Sequence, residues 1–358
     1  MNITARPSTT AGFTLTLVAA GAIVAPAVAP VADVPIPQSR DVQLVDVSWD
    51  QVLQTALANS TDIYDHFSPA AFADLQQFAA NIPAYFEGSR NFGDDLNSAY
   101  AAATTVFAPT DPEPYIYTSV DSTPSTIGLQ VLGLDVADFD LPGKDGLINI
   151  LSNGIPYTIG ICPLCTEEHF DILPLLVGSD EAAQIQPYLE FSGSPLSGIL
   201  WGSFGTTVGP IIQLNDDITA ITAALSGATP DYTTAFNELL DMPANVTNAF
   251  LNGYGEIDLS TLLTTFGISA PSGLDVDAFQ LDLGGLLSPA GSLIDGIGIA
   301  DHLGDCSIVC ATLDVPNSLV GPIASLFMQD QAIAMAVGWD GVGQPLAALF
   351  NDLAGMFN

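Results

Sequence analysis

The segment FSGSPLSGILWGSFGTTVGPIIQLN, residues 191–215, contains 25 consecutive positions without a charged side chain. An α-helix of that length is long enough to cross the roughly 30 Å hydrocarbon layer of a bilayer. The segment is only mildly hydrophobic, however, because glycine, proline, serine and threonine occupy much of it. In a soluble protein the same residues would form a tightly packed buried helix or a turn-rich insertion. The sequence leaves both interpretations open.

Glycines recur within this segment at helical spacing. Gly198 and Gly202 are four residues apart, and so are Gly205 and Gly209. In membranes, small residues at this spacing let two helices approach closely. These four glycines are therefore the candidate membrane-packing residues.

A stripe of aliphatic residues continues from the end of the segment. Its members are three or four residues apart, which predicts an amphipathic helix: Ile211, Leu214, Ile218, Ile221 and Leu225. Gly227 is expected to end this helix. Another helix is expected to begin at Tyr232 and to bend or stop near Pro243.

Helix signals also occur near the N-terminus. Ser48 with Gln51 three residues later forms a capping box. Ser68 followed by Pro69 is typical of a second helix start. The apolar stripes that follow both signals are expected to pack on a core.

The C-terminal third alternates short apolar runs with Gly, Pro and Asp and closes with helical stretches at 320–337 and 345–357. One short strand is expected at 115–120. Ten-residue segments with strict apolar/polar alternation are absent, so no β-barrel is evident. The predicted fold is predominantly α, with long Gly/Pro-rich connections and a few short strands.

The N-terminus has the features of an export signal. Arg6 is the one charge before Asp33, and the apolar stretch 11–31 contains the small-residue site Ala27-Val28-Ala29. This pattern is typical of a signal peptide cleaved after Ala29. An uncleaved membrane anchor is the alternative, although Pro26 and Pro30 interrupt the apolar stretch.

Composition divides the chain into five parts. These are a signal peptide (1–29), a Pro-rich tether (30–47), a helical N-terminal region (48–108), a loop-rich region with the first cysteine pair (109–190) and a helix-rich C-terminal region (191–358). No internal repeat of 20 to 50 residues emerges.

The charge balance excludes one class of partner. Four Lys and Arg face 40 Asp and Glu, which gives a net charge of −36. Because the basic residues are isolated, no basic patch exists that binds nucleic acid. Anionic lipid headgroups are disfavoured for the same reason. With 48% hydrophobic residues the chain is nevertheless able to bury a large core.

The motifs of common enzymes are missing from the sequence. It contains no G-x-S-x-G, H-E-x-x-H, Walker or G-x-G-x-x-G motif. Each histidine follows a carboxylate, but with 40 acidic residues this is near the chance expectation. We therefore predict no enzymatic activity, no cofactor and no metal site.

Several runs of sequence resemble a family of exported proteins of mycobacterial-type actinobacteria, the outer-membrane porins of the GjpA type. The matching stretches begin LNSAYAAATTVF, FSGSPLSGILWG, NDDITAITAALS, LDLGGLLSPAGS and VGPIASLFMQDQ, and they occur across most of residues 40–345. The resemblance implies export, association with the outer membrane of a mycolic-acid envelope and passage of small solutes. It assigns no functional residue.

Two functions from different classes follow. In the first, the chain is a channel whose acidic residues favour small cations, as acidic rings do in other channels. Its partners are then envelope lipid or other envelope proteins, and an assembly of several copies is compatible with it. In the second, it is a secreted or surface-attached soluble acidic protein with a binding or structural role.

We predict that all four cysteines, Cys162, Cys165, Cys306 and Cys310, are oxidised, because an exported chain with an even number of cysteines is expected to form disulfides. Two local bridges and cross-pairing of the two clusters are the main alternatives, and a four-thiolate zinc site is a third. Alkylation of the denatured, unreduced protein should label no thiol. Two or more labelled thiols would contradict the prediction, and bound zinc in equal amount would favour the metal site.

Overall fold

The computed structural model describes residues 48–107, 126–131, 134–140, 148, 155–159, 166–170, 173–174, 179–259, 274–305 and 309–347. They belong to one compact unit, Ser39–Asn358. The predicted signal peptide and tether, the strand expected at 115–120 and most of the last predicted helical stretch lie outside the described residues.

Helices form most of the regular structure in the described part of the chain, which confirms the predominantly α fold. They are α1 (Trp49–Phe67), α2 (Ala73–Glu87), α3 (Phe92–Thr104), α4 (Ser179–Ser192), α5 (Pro195–Ser226), α6 (Tyr232–Leu251) and α7 (Pro322–Ala336). The capping box at the start of α1 is present, since the Ser48 N–H donates to Gln51 Oε1 (3.0 Å) and the Gln51 N–H donates to Ser48 Oγ (3.3 Å). Gly227 follows the end of α5, as predicted.

One helix start differs from the predicted one. Ser68–Ala70 is a separate turn of 3-10 helix, and α2 begins only after Phe72, which has a left-handed backbone (φ 56°). That turn directs the first N–H groups of α2 toward Asp330, which accepts from them. For α6, which begins at Tyr232 as predicted, the alternative of a stop at Pro243 is wrong, because the helix continues through this residue.

The described strands form two antiparallel sheets. Their bounds are β1 (Thr126–Val131), β2 (Leu134–Asp140), β3 (Ile155–Ile159), β4 (Thr166–Phe170), β5 (Gly255–Asp258), β6 (Leu274–Leu283), β7 (Ile297–Asp305) and β8 (Val309–Val315). The larger sheet has the order β2-β1-β8-β7-β6-β5, and β3 pairs with β4. Four of these strands lie in the region that we predicted to be rich in loops.

One face of α5 lies directly against the backbone of two other segments. A Cβ atom added at Gly198 would lie 1.7 Å from the carbonyl oxygen of Gly291, and one at Gly202 would lie 2.5 Å from Pro322 N. At Gly205 the nearest atom would be the carbonyl oxygen of Gly284, at 2.6 Å. The glycines therefore let α5 touch residues 284–291, which follow β6, and the start of α7.

Serine hydroxyls satisfy the polar groups of this buried, irregular backbone. Ser325 Oγ accepts from the Gly291 N–H (3.2 Å) and donates to the Gly291 carbonyl (3.0 Å). Ser288 Oγ accepts from Gly285 N–H (2.8 Å), and Ser197 Oγ accepts from Leu293 N–H (2.9 Å). Because buried backbone groups are costly when unpaired, these side chains make the close contact possible.

We predict that Gly198→Ala destabilises the fold by at least about 3 kcal/mol, because the added methyl group has no space beside Gly291. In an ordinary helix the same change stabilises by about 1 kcal/mol. Gly227→Ala is the matched control, since its Cβ atom would meet nothing closer than 3.6 Å. Urea unfolding measures both variants, and equal stabilities would contradict the close backbone contact.

Candidate functional site: an apolar helical surface over a polar interior

Small and polar side chains form the interior surfaces of the helices. Buried positions on α5 are mostly glycine, serine and threonine, together with Asp217. On α6 and α7 they are Ala235, Glu238, Ala244, Asn245, Ala249, Ala324, Ser325, Met328, Gln331, Ala332 and Ala334. With few large apolar groups, the helices contact one another mainly through alanine, glycine and hydrogen-bonding side chains.

Many of the large apolar side chains of the helices are exposed instead. They include Trp49, Leu53, Leu57 and Tyr64 on α1, Leu75, Ile82 and Phe86 on α2, Phe92, Leu96 and Tyr100 on α3, and Tyr232, Phe236, Leu239, Leu240 and Phe250 on α6. Scattered exposed hydrophobic residues are normal, but stripes on several helices indicate an interaction surface. We call these side chains the apolar surface.

The expectation that the apolar stripes pack on a core is wrong for most of their members. On α1, Val52 and Ala56 are buried, whereas Trp49, Leu53 and Leu57 of the same stripe are exposed. The physical reason is that backbones approach closely only where side chains are small. The larger residues therefore occupy the outer faces.

A buried carboxyl lies between α5 and α6. Asp217 has no exposed surface, and its Oδ1 accepts from Gln213 Nε2 (2.9 Å) and Asn245 Nδ2 (3.1 Å). Its Oδ2 is buried without a hydrogen-bond partner. Burial, together with the charges of Asp216 and Asp241, raises the pKa of Asp217. The hydrogen bond from Asn245 joins α6 to Asp217 on α5.

Arg90 is the one Lys or Arg within the described residues, and it is paired. Its Nε donates to Asp95 Oδ2 (2.6 Å) and its Nη2 donates to the Val337 carbonyl (2.6 Å). Tyr85 and Asn81 also donate to Asp95. Burial opposes the charge of Asp95, but Arg90 and these donors outweigh it and lower the pKa of Asp95. The group fastens α2 and α3 to the end of α7.

A shallow cavity of about 530 Å³ lies beside this ion pair. It is lined by Tyr85, Gly88, Ser89, Arg90, Asn91, Phe92 and Asp94. Because the Arg90 guanidinium already contacts Asp95 and Val337, the cavity has no unpaired cation that would attract an anionic ligand. Its lining contains no histidine or cysteine nucleophile either. The cavity therefore carries no catalytic assignment.

A second carboxyl with a raised pKa caps α2. Asp330 Oδ2 accepts from the Ala73 N–H (3.0 Å), and its Oδ1 accepts from the Asp74 N–H (3.1 Å). Burial and the neighbouring Asp74 carboxyl raise the pKa of Asp330 to about 8. This residue joins α7 to the start of α2, so its protonation bears on the stability of that contact.

The four predicted glycines lie within the described residues, whereas most of the predicted cysteines do not. Gly198, Gly202, Gly205 and Gly209 all lie on the buried face of α5, where they contact other parts of the same chain. Their role between helices in a membrane stays a prediction. Cys162, Cys165 and Cys306 lie outside the described residues, and Cys310 is described only as a backbone position on β8. The disulfides therefore stay a prediction as well.

Two further properties concern only the described residues. No group of three or more His, Cys, Asp or Glu side chains there is arranged to hold a metal ion. Within the same ranges, no helix has both the length and the apolar content that crossing a membrane requires.

Comparisons with protein-family models, with curated proteins and with solved structures find no match. The resemblance to the porin family stays a prediction.

Sequence reasoning missed the polar interior and the main sheet. Except at Ala278-Phe279, the segment LDVDAFQLDL of β6 alternates apolar and polar residues, which is a strand signal. Asp217 and Asp330 are not distinguishable from the other acidic residues by sequence, because Asn245 and Ala73, which donate to them, lie in other parts of the chain. The partners of Asp95 are closer in sequence, but no local pattern marks them.

We predict that Asp330 makes stability fall as pH rises. Its folded pKa of about 8 lies above the usual value of about 4, so its contribution is complete below pH of about 4 and is lost as pH approaches about 8. Asp330→Asn removes the titrating group. Between about pH 5 and pH 8.5, the unfolding free energy of the wild type should therefore fall relative to that of the variant. Urea titrations measure it, and a difference independent of pH would contradict the assignment.

Proposed function

We propose that this chain is an exported cell-envelope protein that associates with the outer membrane of a mycolic-acid envelope and lets small solutes, cations in preference, pass. The observation that carries the proposal is the apolar surface on α1, α2, α3 and α6 over an interior of small and polar residues. This arrangement is typical of proteins whose surroundings are apolar, because small residues let helices approach closely while large apolar residues contact lipid.

The sequence supports the location and the cation preference. An N-terminal apolar stretch with an A-x-A site favours export, and the resemblance to GjpA-type porins favours the outer membrane. A net charge of −36 raises the cation concentration near any water-filled path through an assembly of such chains. Solute passage itself rests on the family resemblance.

One observation favours the alternative, a secreted or surface-attached soluble protein with a binding role. The exposed apolar residues of α1 are interspersed with exposed acidic ones, namely Asp50, Asp62 and Asp65. Carboxylates are costly inside a bilayer. If α1 contacts another protein instead, the same acidic residues stay at the hydrated rim of the interface, where charges are common.

We predict that the protein remains in carbonate-washed envelopes and is released by detergent. Exchanging Phe236 and Leu240, two exposed residues of α6, for Asn should move protein to the soluble fraction, because it removes apolar contact area. Thr233→Asn with Asn237→Gln is the matched control, since both positions are exposed and polar. In planar bilayers the purified wild type should pass cations in preference, and the preference should decline as salt shortens the Debye length from about 30 Å at 0.01 M to about 3 Å at 1 M.

The opposite results separate the two functions. Release of the wild type into the medium, together with no conductance from folded protein, would support the soluble binding protein. Anion selectivity would contradict the role of the acidic charge. Equal retention of the α6 variant and its control would exclude this face from envelope association.

A further inference from the structure

The long helix α5 has an exposed apolar stripe opposite its glycine face. We call it the α5 seam, and it consists of Leu200, Phe204, Ile211, Leu214, Ile218 and Leu225. Their exposed fractions lie between 40% and 64%, although α5 is otherwise packed along much of its length. With Thr207 and Ile221 included, the positions are separated by alternating intervals of four and three residues. That is the a and d spacing of a coiled coil, sustained over more than three heptads.

From this we infer that the α5 seam binds the α5 seam of a second copy of this chain, forming a two-helix contact between two copies. A self-complementary stripe can be buried on both copies by a two-fold axis. The inference does not depend on where the protein is located, since it concerns the folded chain alone.

The narrow width of the α5 seam favours another helix, and not a lipid surface, as its binding partner. The exposed positions beside it are polar and uncharged, namely Ser203, Asn215, Thr219 and Thr222. A stripe restricted to a and d positions is the narrow seam of a coiled coil, whereas helices lying on a lipid surface have a broad apolar face with Lys and Arg beside it. None of these flanking residues is basic.

The absence of charged residues on the α5 seam favours a second copy at this particular face. Two chains with a charge of −36 each repel one another, so they can meet only where acidic groups are absent. The acidic residues of α5 lie off the seam, since Asp217 is buried on the other side and Asp216 accepts from Tyr254 Oη (2.6 Å). The exposed stripe of α1, in contrast, lies beside exposed aspartates.

The apolar area that the α5 seam exposes is sufficient for a specific dimer. Six large apolar side chains that are about half exposed offer on the order of 600 Å² per copy, or roughly 1,200 Å² in a pair, which is the lower limit for stable interfaces. The stripe from Leu200 to Leu225 is about 38 Å long at the rise of an α-helix. An interface of this size predicts a dimer that dissociates on dilution.

The test measures the mass of the full, oxidised chain in detergent-free buffer by sedimentation velocity, from about 1 to about 100 µM, a range that covers dissociation constants typical of modest interfaces. The wild type should have the mass of two chains at the upper end and dissociate toward one chain on dilution. Ile218→Asp and, separately, Ile211→Asp should weaken the dimer at least about 100-fold, because each places two like charges across the seam.

Thr219→Asp is the matched control. It adds the same charge at an exposed neighbouring position outside the seam, so the dimer should persist. Circular dichroism shows whether each variant is folded, and both replaced isoleucines are exposed enough to be changed without opening the core.

Three outcomes would overturn the inference. One is a wild type that stays monomeric at about 100 µM, and another is equal weakening by Ile218→Asp and Thr219→Asp. The third is a monomeric wild type that floats with phosphatidylcholine vesicles when Ile218→Asp does not, which would assign the seam to lipid.

Discussion

The contact between the glycine face of α5 and the backbone around Gly284, Gly291 and Pro322 is the constraint on which the rest of this structure depends. It brings a helix against irregular main chain at distances that no side chain tolerates. The contact joins the end of β6, the start of α7 and α5 in one place, so both the sheet and the C-terminal helix are positioned by it. Helix propensity alone would disfavour glycine here, which means that packing overrides it.

Such close packing buries backbone N–H and carbonyl groups, which is unfavourable unless they form hydrogen bonds, and polar side chains supply these bonds. The main chain at residues 284–293 lacks its own ladder of hydrogen bonds. Ser197 and Ser325 from neighbouring helices, and Ser288 within the segment, supply hydrogen bonds to it. The same principle extends outward to Asp217, Asp95 and Asp330, each of which accepts a hydrogen bond from a residue on another element or on the loop before its own helix. In a core of this kind, the directionality of the buried hydrogen bonds fixes the arrangement of the helices, and buried apolar area does so less.

Local signals in the sequence predicted the predominantly α fold and several helix boundaries, and long-range packing explains much of what they missed. The Ser48 capping box and the stop at Gly227 act between neighbours in the chain, so they are visible without a structure. Which face of α1 points inward depends on the segments that approach it, and the spacing of Trp49 and Leu53 does not contain that information. The Arg90 contact with Val337 joins positions 247 residues apart, which no local pattern reveals.

The distribution of side chains links the folding of this chain to its surroundings. Burial of apolar area is the main favourable contribution to folding, yet many of the large apolar residues of the described helices remain exposed in the single chain. Part of the available stabilisation is therefore left for contacts with other molecules. A partner that binds only the folded form adds to its stability in proportion to the logarithm of its concentration relative to the dissociation constant. Dilution and loss of apolar contacts thus act on the fold itself, and not only on assembly.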